Sequence, residues 1–274
     1  MQVPRSLSRA VCLGARLSDR IPVLRSAANV LYGPYFNRAT GNIRMFRGVY
    51  RSFSEASSAI PAGRLQGYDN QPSAVRLVHE RLEIYPSDYP ILFWLSRLLP
   101  ECRLLFDWGG NVGTSYFGYR RYLSYPAGLT WLVAEVPAVV AQGQKIAAAE
   151  SAPGLSFTTS LEELEHADLL LVAGVLQFIE DPLAILKGFR TLPPHILFNK
   201  VPVYGVHTAF TVHNFGSALC PYQLFNREDL LHCIQQLGYR LVDEWRTPFH
   251  GCRIPFFPEH SIAAYSGFYF RAIR

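Results

Sequence analysis

Short apolar runs, each followed by a polar or glycine-rich turn, recur along the chain from residue 103 onward. Their short length is typical of strands, and helical patterns fill the segments between them. The predicted strands are 103–107, 130–135, 155–159, 167–174 and 195–200. Strands that alternate with helices predict a parallel sheet with right-handed crossovers, which places the chain in the α/β class.

The end of the chain breaks this alternation. Two further strand-like runs, 239–245 and 265–273, are separated by a Pro-rich segment and by no helix. They predict an antiparallel hairpin at one edge of the sheet, whereas a dinucleotide-binding sheet normally continues as β-α-β. Upstream of the first strand, helical patterns at 72–82 and 88–99 predict a helical prelude, and 48–70 reads as a loop.

These patterns predict two regions. Residues 1–70 form a basic N-terminal arm and loop, and residues 71–274 form the main domain, with the helical prelude at 71–100. Two segments leave the predicted sheet, at 201–225 and 247–265. We expect them to be loop insertions that bind the molecule on which the protein acts.

The composition indicates a globular chain. Its 274 residues are 49% hydrophobic and 17% charged, and no apolar run reaches the 18 residues of a spanning helix. The five cysteines are scattered without paired spacing. This predicts reduced thiols in a cytoplasmic protein rather than a disulfide framework or a zinc site, and no metal is expected.

Positive charge is concentrated in the N-terminal arm. Residues 1–51 contain nine Arg and a single acid, Asp19, so the rest of the chain is net negative although the whole carries +5. Three interpretations stay open: a solvated or intramolecularly packed arm, peripheral contact with the inner membrane surface, or a transit peptide. Nucleic-acid binding is disfavoured because the main domain has no basic excess.

The segment FDWGGNVGT (106–114) follows the first predicted strand and opens a helix. A strand, a glycine turn and a helix place backbone N–H groups beside a nucleotide-like ligand. Neither reading frame fits the dinucleotide fingerprint G-x-G-x-x-G, because Asn111 stands where the second glycine would be. Asn tolerates positive φ better than other residues, so the turn itself remains plausible.

Two acids select the cofactor. Asp107, at the lip of the turn, would repel a diphosphate but attract the α-ammonium and sulfonium of S-adenosylmethionine (SAM). Glu135 ends the next strand, where an acid can accept both ribose hydroxyls. Gly174 and Gln177 follow the fourth strand, beside the expected position of the reacting methyl group. The predicted cofactor-binding residues are Asp107, Gly109, Gly110, Asn111, Gly113, Glu135, Gly174 and Gln177.

Four segments, FDWGGNVGTSYFGYR, WLVAEVPAVVAQG, ADLLLVAGVLQFIEDP and CPYQLFNRE, resemble one family of bacterial SAM-dependent methyltransferases. That family often accompanies surface-polysaccharide biosynthesis, and the resemblance covers roughly residues 48–274. It implies SAM and a Rossmann-like class I methyltransferase fold. We therefore expect a mostly parallel seven-stranded sheet with an antiparallel terminal hairpin, preceded here by an N-terminal helical extension.

Candidate catalytic residues come from the histidines, since a hydroxyl acceptor benefits from a base with a pKa near 7. His213 is the first candidate and His207 the second, and His250 and His260 are further His residues in the later excursion. A hydrogen-bonded structural role stays open for each. Residues on predicted loops that could bind a sugar are Tyr68, Asp69, Tyr116, Tyr222, Arg253, Glu259 and His260.

The sequence thus predicts a SAM-dependent methyltransferase that O-methylates a hydroxyl-rich acceptor, such as a saccharide or glycoconjugate precursor. Two alternatives stay open at this point. One is an NAD(P)-dependent sugar oxidoreductase, against which the broken fingerprint and the terminal hairpin argue. The other is a non-catalytic SAM-binding or scaffold protein that keeps the fold.

Overall fold

The computed structural model describes residues 22–41, 43–74, 84–248 and 250–273. In these ranges the chain folds into two β-sheets with flanking helices. The main sheet contains β2 (Leu104–Trp108), β3 (Thr130–Ala134), β4 (Leu155–Thr158), β5 (Leu169–Ala173), β6 (His195–Val201), β10 (Tyr239–Thr247) and β11 (Tyr265–Ala272). The second sheet contains β1 (Met45–Tyr50), β7 (Val203–Tyr204), β8 (Ala209–Asn214) and β9 (Leu219–Asn226).

The main sheet has the strand order β10-β11-β6-β5-β2-β3-β4. Strands β2 to β6 pair in parallel, while β11 pairs antiparallel with both β6 and β10. The prediction of a mostly parallel seven-stranded sheet with an antiparallel terminal hairpin is therefore confirmed. The chain leaves β2 toward β3 and later returns to β5 on the other side of β2. Ligands of open α/β sheets bind at such a switch point.

Both faces of the main sheet are buried, as the continuous apolar runs predict. Leu105 packs into one core with helices α3 (Tyr89–Leu98), α4 (Thr114–Tyr119) and α5 (Pro137–Ala149). Phe106 faces the other core, with α6 (Pro182–Lys187) and α7 (Arg227–Gln236). Each fully buried apolar side chain contributes about 1.5–3 kcal/mol, so the two faces together anchor the strand ends that carry the site.

Two helix caps position the segments next to the site. The Asp181 side chain accepts a hydrogen bond from the Ala184 amide at 3.0 Å, with Pro182 at the first helical position. Asn226 accepts in the same way from the Asp229 amide at 2.9 Å at the start of α7. Asp and Asn are favoured at this position because their side chains satisfy a backbone N–H of the first helical turn, and Pro suits the first helical position because it lacks that N–H.

The N-terminal region and the 201–225 segment differ from the prediction. Residues 48–70 include the end of β1 and helix α2 (Phe53–Ser58), and 201–225 contains β7, β8 and most of β9 rather than loops. Strand β8 pairs antiparallel with β1, more than 150 residues earlier in the chain. The expectation of loops was wrong because such a distant partner leaves no local sequence pattern.

The described part of the basic arm is packed against this second sheet. Helix α1 (Pro22–Arg38) buries Tyr32 and Phe36, and the Asn214 side-chain amide donates to the Phe36 carbonyl at 2.6 Å. The Tyr32 hydroxyl donates to the Phe46 carbonyl at 2.9 Å. Intramolecular packing, one of the three interpretations of the arm, therefore holds for these residues.

Other local predictions met different outcomes. The helix expected from Pro72 falls mainly on 75–83, which lies outside the described residues, as do residues 1–21 of the arm. Helix α4 ends at Tyr119 rather than near residue 125, because a tight turn follows in which the Tyr122 amide donates to the Tyr119 carbonyl. Across the described ranges, no helix combines the length and the apolar character needed to cross a membrane.

Candidate cofactor and acceptor site

The glycine turn after β2 adopts left-handed backbone conformations. Gly109 has φ +74°, Asn111 has +56° and Gly113 has +87°. A Cβ on Gly109 would lie 2.4 Å from the Cβ of Val175, so the turn touches the segment after β5 directly. The prediction that Asn111 tolerates a positive φ is confirmed. The turn thus brings bare backbone to the switch point of the sheet.

Asp107 lies beneath this turn rather than at its lip. Its side chain is completely buried, and Oδ2 accepts a hydrogen bond from the Trp131 indole at 3.0 Å. A Cβ on Gly110 would lie 2.4 Å from the same Oδ2, so the carboxylate packs directly under the backbone. Burial raises the pKa of Asp107 to about 7, and the Trp131 hydrogen bond opposes this rise. The predicted contact with a ligand at the lip is therefore replaced by a supporting position under the turn.

Glu135 lies at the carboxyl end of β3, beside the turn. Its Oε1 accepts from the Asn111 amide at 3.1 Å and its Oε2 from the Val136 amide at 3.0 Å. Burial raises the pKa of Glu135, while these two backbone N–H groups favour the carboxylate. Each carboxylate oxygen keeps a second lone pair. The side chain is thus held in one orientation and can still accept two hydroxyl groups.

A larger cavity of about 820 Å³ opens at the carboxyl ends of β2, β3 and β5. Glu135 and the glycine turn form its polar side. Apolar side chains form the rest of the wall at one end, among them Leu161, Val175, Ile179 and Ile185. A cavity with mostly apolar walls and a few placed polar groups is typical of a small-molecule site.

A smaller cavity of about 260 Å³ adjoins the first at the glycine turn. Six residues line both cavities, namely Tyr68, Gly109, Asn111, Ala173, Gly174 and Phe178. The remaining wall of the smaller cavity is polar and aromatic, with contributions from Arg44, Tyr85, Asp88, Gln177, Lys200, His213, Tyr222, His250 and Tyr265. One continuous path therefore leads from Glu135, past the bare turn, into a second compartment.

An ion pair fixes one wall of the smaller cavity. Lys200 Nζ lies 2.9 Å from Asp88 Oδ1, and Asp88 Oδ2 accepts from the Tyr85 amide at 2.9 Å. The Asn199 side-chain amide also donates to Asp88 Oδ1, at 3.3 Å. Lys200 itself has φ +58°, a conformation that is costly for a residue with a side chain. The negative charge of Asp88 is therefore balanced by the positive charge of Lys200.

Two phenols and a histidine line the same cavity near Arg44. The Tyr222 and Tyr265 hydroxyl oxygens are 2.6 Å apart, and Arg44 donates to Tyr265 at 2.8 Å. Burial, together with the positive charges of Lys200 and Arg44, lowers the pKa of His250 to about 4. His250 is therefore neutral at physiological pH.

His213 and Gln177 complete the compartment. His213 is buried and stacks on Phe46 with a ring-centroid distance of 4.7 Å, and its ring lines the smaller cavity. The Gln177 amide nitrogen donates to the Gly174 carbonyl at 2.7 Å, which holds the side chain at this position. Its Oε1 is buried with no hydrogen-bond partner among the described residues, so it can accept from a ligand.

The predicted site residues divide into two groups. Tyr68, Tyr222, His213 and Gln177 line the smaller cavity. Asp69 lines the larger cavity, where its side chain accepts from the Ala138 amide at 3.0 Å and caps helix α5.

Other predicted residues lie elsewhere. His207, Glu259 and His260 line a separate cavity of about 370 Å³. Tyr116 is a core residue whose hydroxyl donates to the Pro153 carbonyl at 2.6 Å. Arg253 is exposed and lines none of these three cavities. None of these five residues lines the two cavities at the glycine turn, and their roles in catalysis and acceptor binding stay predictions.

Sequence reasoning missed most of the acceptor-side wall. The predictions place Arg44 in the basic arm and Asp88 at the start of a helix, and they assign Tyr85 to no element. Lys200 and Tyr265 were placed within strands. A charged residue at the carboxyl end of the β6 strand was the available signal for Lys200, since ligands bind at that edge.

Comparison with known proteins supports the fold. No family model matches the sequence, and no curated protein matches it either. Among solved structures, OxaC in complex with SAH and oxaline has a TM-score of 0.50 at 13% identity, covering 75% of this chain and 52% of OxaC. SAH-bound Burkholderia thailandensis 1,6-didemethyltoxoflavin-N1-methyltransferase has a TM-score of 0.47 at 16% identity, covering 78% and 98%. SAH-bound magnesium protoporphyrin IX methyltransferase from Synechocystis PCC 6803 has a TM-score of 0.46 at 14% identity, covering 89% and 99%.

The chain therefore has the α/β Rossmann-like fold of class I SAM-dependent methyltransferases, with the antiparallel β11 inserted between β6 and β10. OxaC, which shares this fold, is the neighbour whose structure contains SAH together with oxaline.

Proposed function

We propose that this chain is a SAM-dependent methyltransferase that binds SAM in the larger cavity and a small acceptor in the smaller one. The observation that carries this proposal is the junction of the two cavities at the glycine turn. A cofactor that spans this junction would present its reactive centre to a compartment closed by aromatic rings. Positioning of this kind supplies much of the catalysis in a displacement reaction.

The residues of the larger cavity fit the cofactor. Glu135 offers free lone pairs for two ribose hydroxyls, and the apolar side chains of Leu161, Val175 and Ile179 suit an adenine ring. Gln177 Oε1 offers an acceptor for an ammonium group on the other side of the turn. When bound, SAM supplies a methyl group on a sulfonium.

For the acceptor, we propose a hydroxyl of a small, hydroxyl-rich molecule such as a saccharide. Tyr68, Phe178 and Tyr222 provide ring faces and edges for a compact cyclic body. His213 lines the same compartment and can accept the hydroxyl proton as the methyl group is transferred. O-methylation, rather than N- or C-methylation, is thus favoured by an imidazole at the cavity wall.

Calorimetric titration with SAH and with NAD⁺ tests the cofactor assignment. We expect one SAH to bind per chain and NAD⁺ to bind at least about 100-fold more weakly, since Asn111 replaces the glycine that lets the backbone approach a pyrophosphate. Tight NAD⁺ binding without SAH binding would refute the proposal. A screen with radiolabelled SAM and a panel of monosaccharides, sugar acids and phenols then tests transfer. Binding of SAH with no transfer to any hydroxyl compound would refute the O-methyl assignment.

We also propose that the Arg-rich segment before α1 brings the protein to the inner membrane surface. Four Arg residues precede α1, namely Arg5, Arg9, Arg16 and Arg20. Such a segment should bind liposomes that contain anionic lipid, with binding that weakens steeply with salt. Co-sedimentation at low and high salt measures this, and equal binding to neutral liposomes would contradict it.

A further inference from the structure

The smaller cavity carries one positive charge without a counter-ion. Its walls contain two cations, Arg44 and Lys200, and one carboxylate, Asp88. Asp88 forms an ion pair with Lys200, with its Oδ1 2.9 Å from the Lys200 Nζ. No carboxylate of the described ranges forms an ion pair with Arg44. His250 adds no charge at neutral pH, because its pKa is lowered to about 4.

Arg44 is held in place by aromatic groups instead. Its Nη2 donates to the Tyr265 hydroxyl at 2.8 Å, and its guanidinium carbon lies 5.1 Å from the centre of the Tyr265 ring. It also lies 5.8 Å from the centre of the Phe46 ring. The hydrogen bond between the Tyr222 and Tyr265 hydroxyls holds in place the Tyr265 side chain that accepts from Arg44. These contacts orient the guanidinium but leave further N–H donors of its planar fork available.

We propose that the acceptor carries an anionic group, a carboxylate or a phosphate, which binds the Arg44 guanidinium. This inference rests on the proposed function of the site. A guanidinium matches the paired oxygens of such anions with two parallel hydrogen bonds, and charge-assisted bonds of this kind are about twice as strong as neutral ones. The acceptor would therefore be an acidic sugar or a hydroxy acid rather than a neutral sugar.

The surrounding electrostatics favour the same ligand. Burial lowers the pKa of His250 most, Lys200 and Arg44 lower it as well, and Asp88 raises it by less, so the two cations outweigh the carboxylate beside this ring. A ligand anion beside Arg44 would partly cancel that potential and raise the pKa of His250. Binding of an anion should consequently be accompanied by proton uptake as the pH falls toward 5.

Another anion must be distinguished from the acceptor. SAM has a carboxylate of its own, and residues of the glycine turn also line the smaller cavity. Arg44 contacts Phe46 and Tyr222 of the second sheet and Tyr265 of the last strand, and none of these contacts is with the turn. This placement assigns Arg44 to the acceptor side of the compartment.

The test compares ligands that are matched in shape and differ in charge. SAH-saturated protein is titrated by calorimetry with benzoate and benzamide, and with glucuronate and glucose. We expect the anion of at least one pair to bind at least about 10-fold more tightly than its neutral partner. Arg44→Gln should abolish that preference. Arg51→Gln, which alters an exposed Arg of the separate 370 Å³ cavity, should preserve it.

SAH affinity is measured for each variant in the same experiment. Failure of the wild-type chain to bind SAH would refute the proposed function itself. Normal SAH binding without any charge preference, or a preference that persists in Arg44→Gln, would refute only the role of Arg44. A loss of SAH affinity by more than about 10-fold in Arg44→Gln would assign the residue to the cofactor carboxylate and so would also refute it.

Discussion

The two compartments of the site differ in how the chain builds them. The larger cavity is formed by strand ends of one parallel sheet, with Glu135 and the turn after β2 separated by fewer than 30 residues. The smaller cavity joins both sheets and receives Arg44, Lys200 and Tyr265 from distant parts of the chain. A local motif therefore specifies the cofactor side, while the acceptor side depends on tertiary packing, where a single change can alter the substrate without altering cofactor binding.

The largest expected effect is a loss of kcat at His213, which would distinguish the smaller cavity from the larger one. If this imidazole accepts the hydroxyl proton, His213→Phe should lower kcat at least about 100-fold, since Phe preserves the stack on Phe46 but not the proton acceptor. SAH affinity should stay unchanged because the ring lines the smaller cavity only. His207→Phe, in the separate cavity, serves as the control and should keep full activity. An unchanged kcat in His213→Phe would eliminate this residue as the base.

Gly109 tests whether the turn must approach a ligand without a side chain. Gly109→Ala should weaken SAH binding about 30- to 100-fold, because a Cβ would overlap Val175 and φ is +74°. Calorimetry measures the affinity, and thermal unfolding checks that the chain still folds. Gly128→Ala is the matched control, since nothing lies within 4 Å of its Cβ position.

A second substitution tests why Gly109→Ala weakens SAH binding. Adding Val175→Gly to Gly109→Ala removes all three Val175 side-chain atoms that the new Cβ would meet. Part of the SAH affinity should return if the steric overlap is the cause. No recovery in the double variant would show that the backbone conformation of the turn, and not its contact with Val175, limits binding.

Glu135 should show a smaller effect confined to the cofactor. Glu135→Gln replaces a carboxylate by an amide and should weaken SAH binding about 10-fold, the free energy of one hydrogen bond to a charged group. Any acceptor affinity measured with bound SAH should remain. Glu163→Gln, on the exposed surface, is the control. Equal SAH affinity in Glu135→Gln and wild type would place the ribose elsewhere.

His250 gives the smallest expected effect, in the pH dependence of stability. Its pKa is about 4 in the folded chain and about 6.5 when unfolded, so the unfolded state binds more protons between these values. His250 thus favours folding above pH 6.5, and this contribution is lost as the pH falls toward 4. Discounted for partial exposure, the loss is about 1–2 kcal/mol.

Chemical denaturation at pH 7 and pH 4.5 measures this contribution. The stability difference between the two pH values should be smaller in His250→Gln than in wild type. His232→Gln, an exposed histidine of α7, should behave as wild type. Identical pH dependence in His250→Gln and wild type would show that the imidazole keeps an ordinary pKa in the folded chain.

The sequence predicts the cofactor side well because its signals are local. Continuous apolar runs locate β2 to β6, and the helix starts at Asp181 and Asn226 carry their own capping residues. The turn and Glu135 lie at the strand ends that this pattern defines. Asp107 is the exception, since a pattern shows that an acid follows the strand but not which side of the backbone its carboxylate packs against.

The acceptor side could not be predicted in the same way. Arg44 reaches the cavity because β1 pairs with β8, and no local pattern reports a pairing across so many residues. The second sheet was interpreted as a loop for the same reason. His213 was selected for its chemical type, and its neighbours Phe46 and Tyr222 come from other strands that only the folded chain brings together.

A crystal structure of the SAH complex tests the central claim most directly, because it locates the cofactor in relation to both cavities. We predict that the ribose hydroxyl oxygens lie within hydrogen-bond distance of the Glu135 carboxylate. The sulfur should lie at the junction lined by Tyr68 and Phe178 and face the smaller cavity. SAH bound outside the larger cavity, or with its sulfur turned away from His213, would contradict the account.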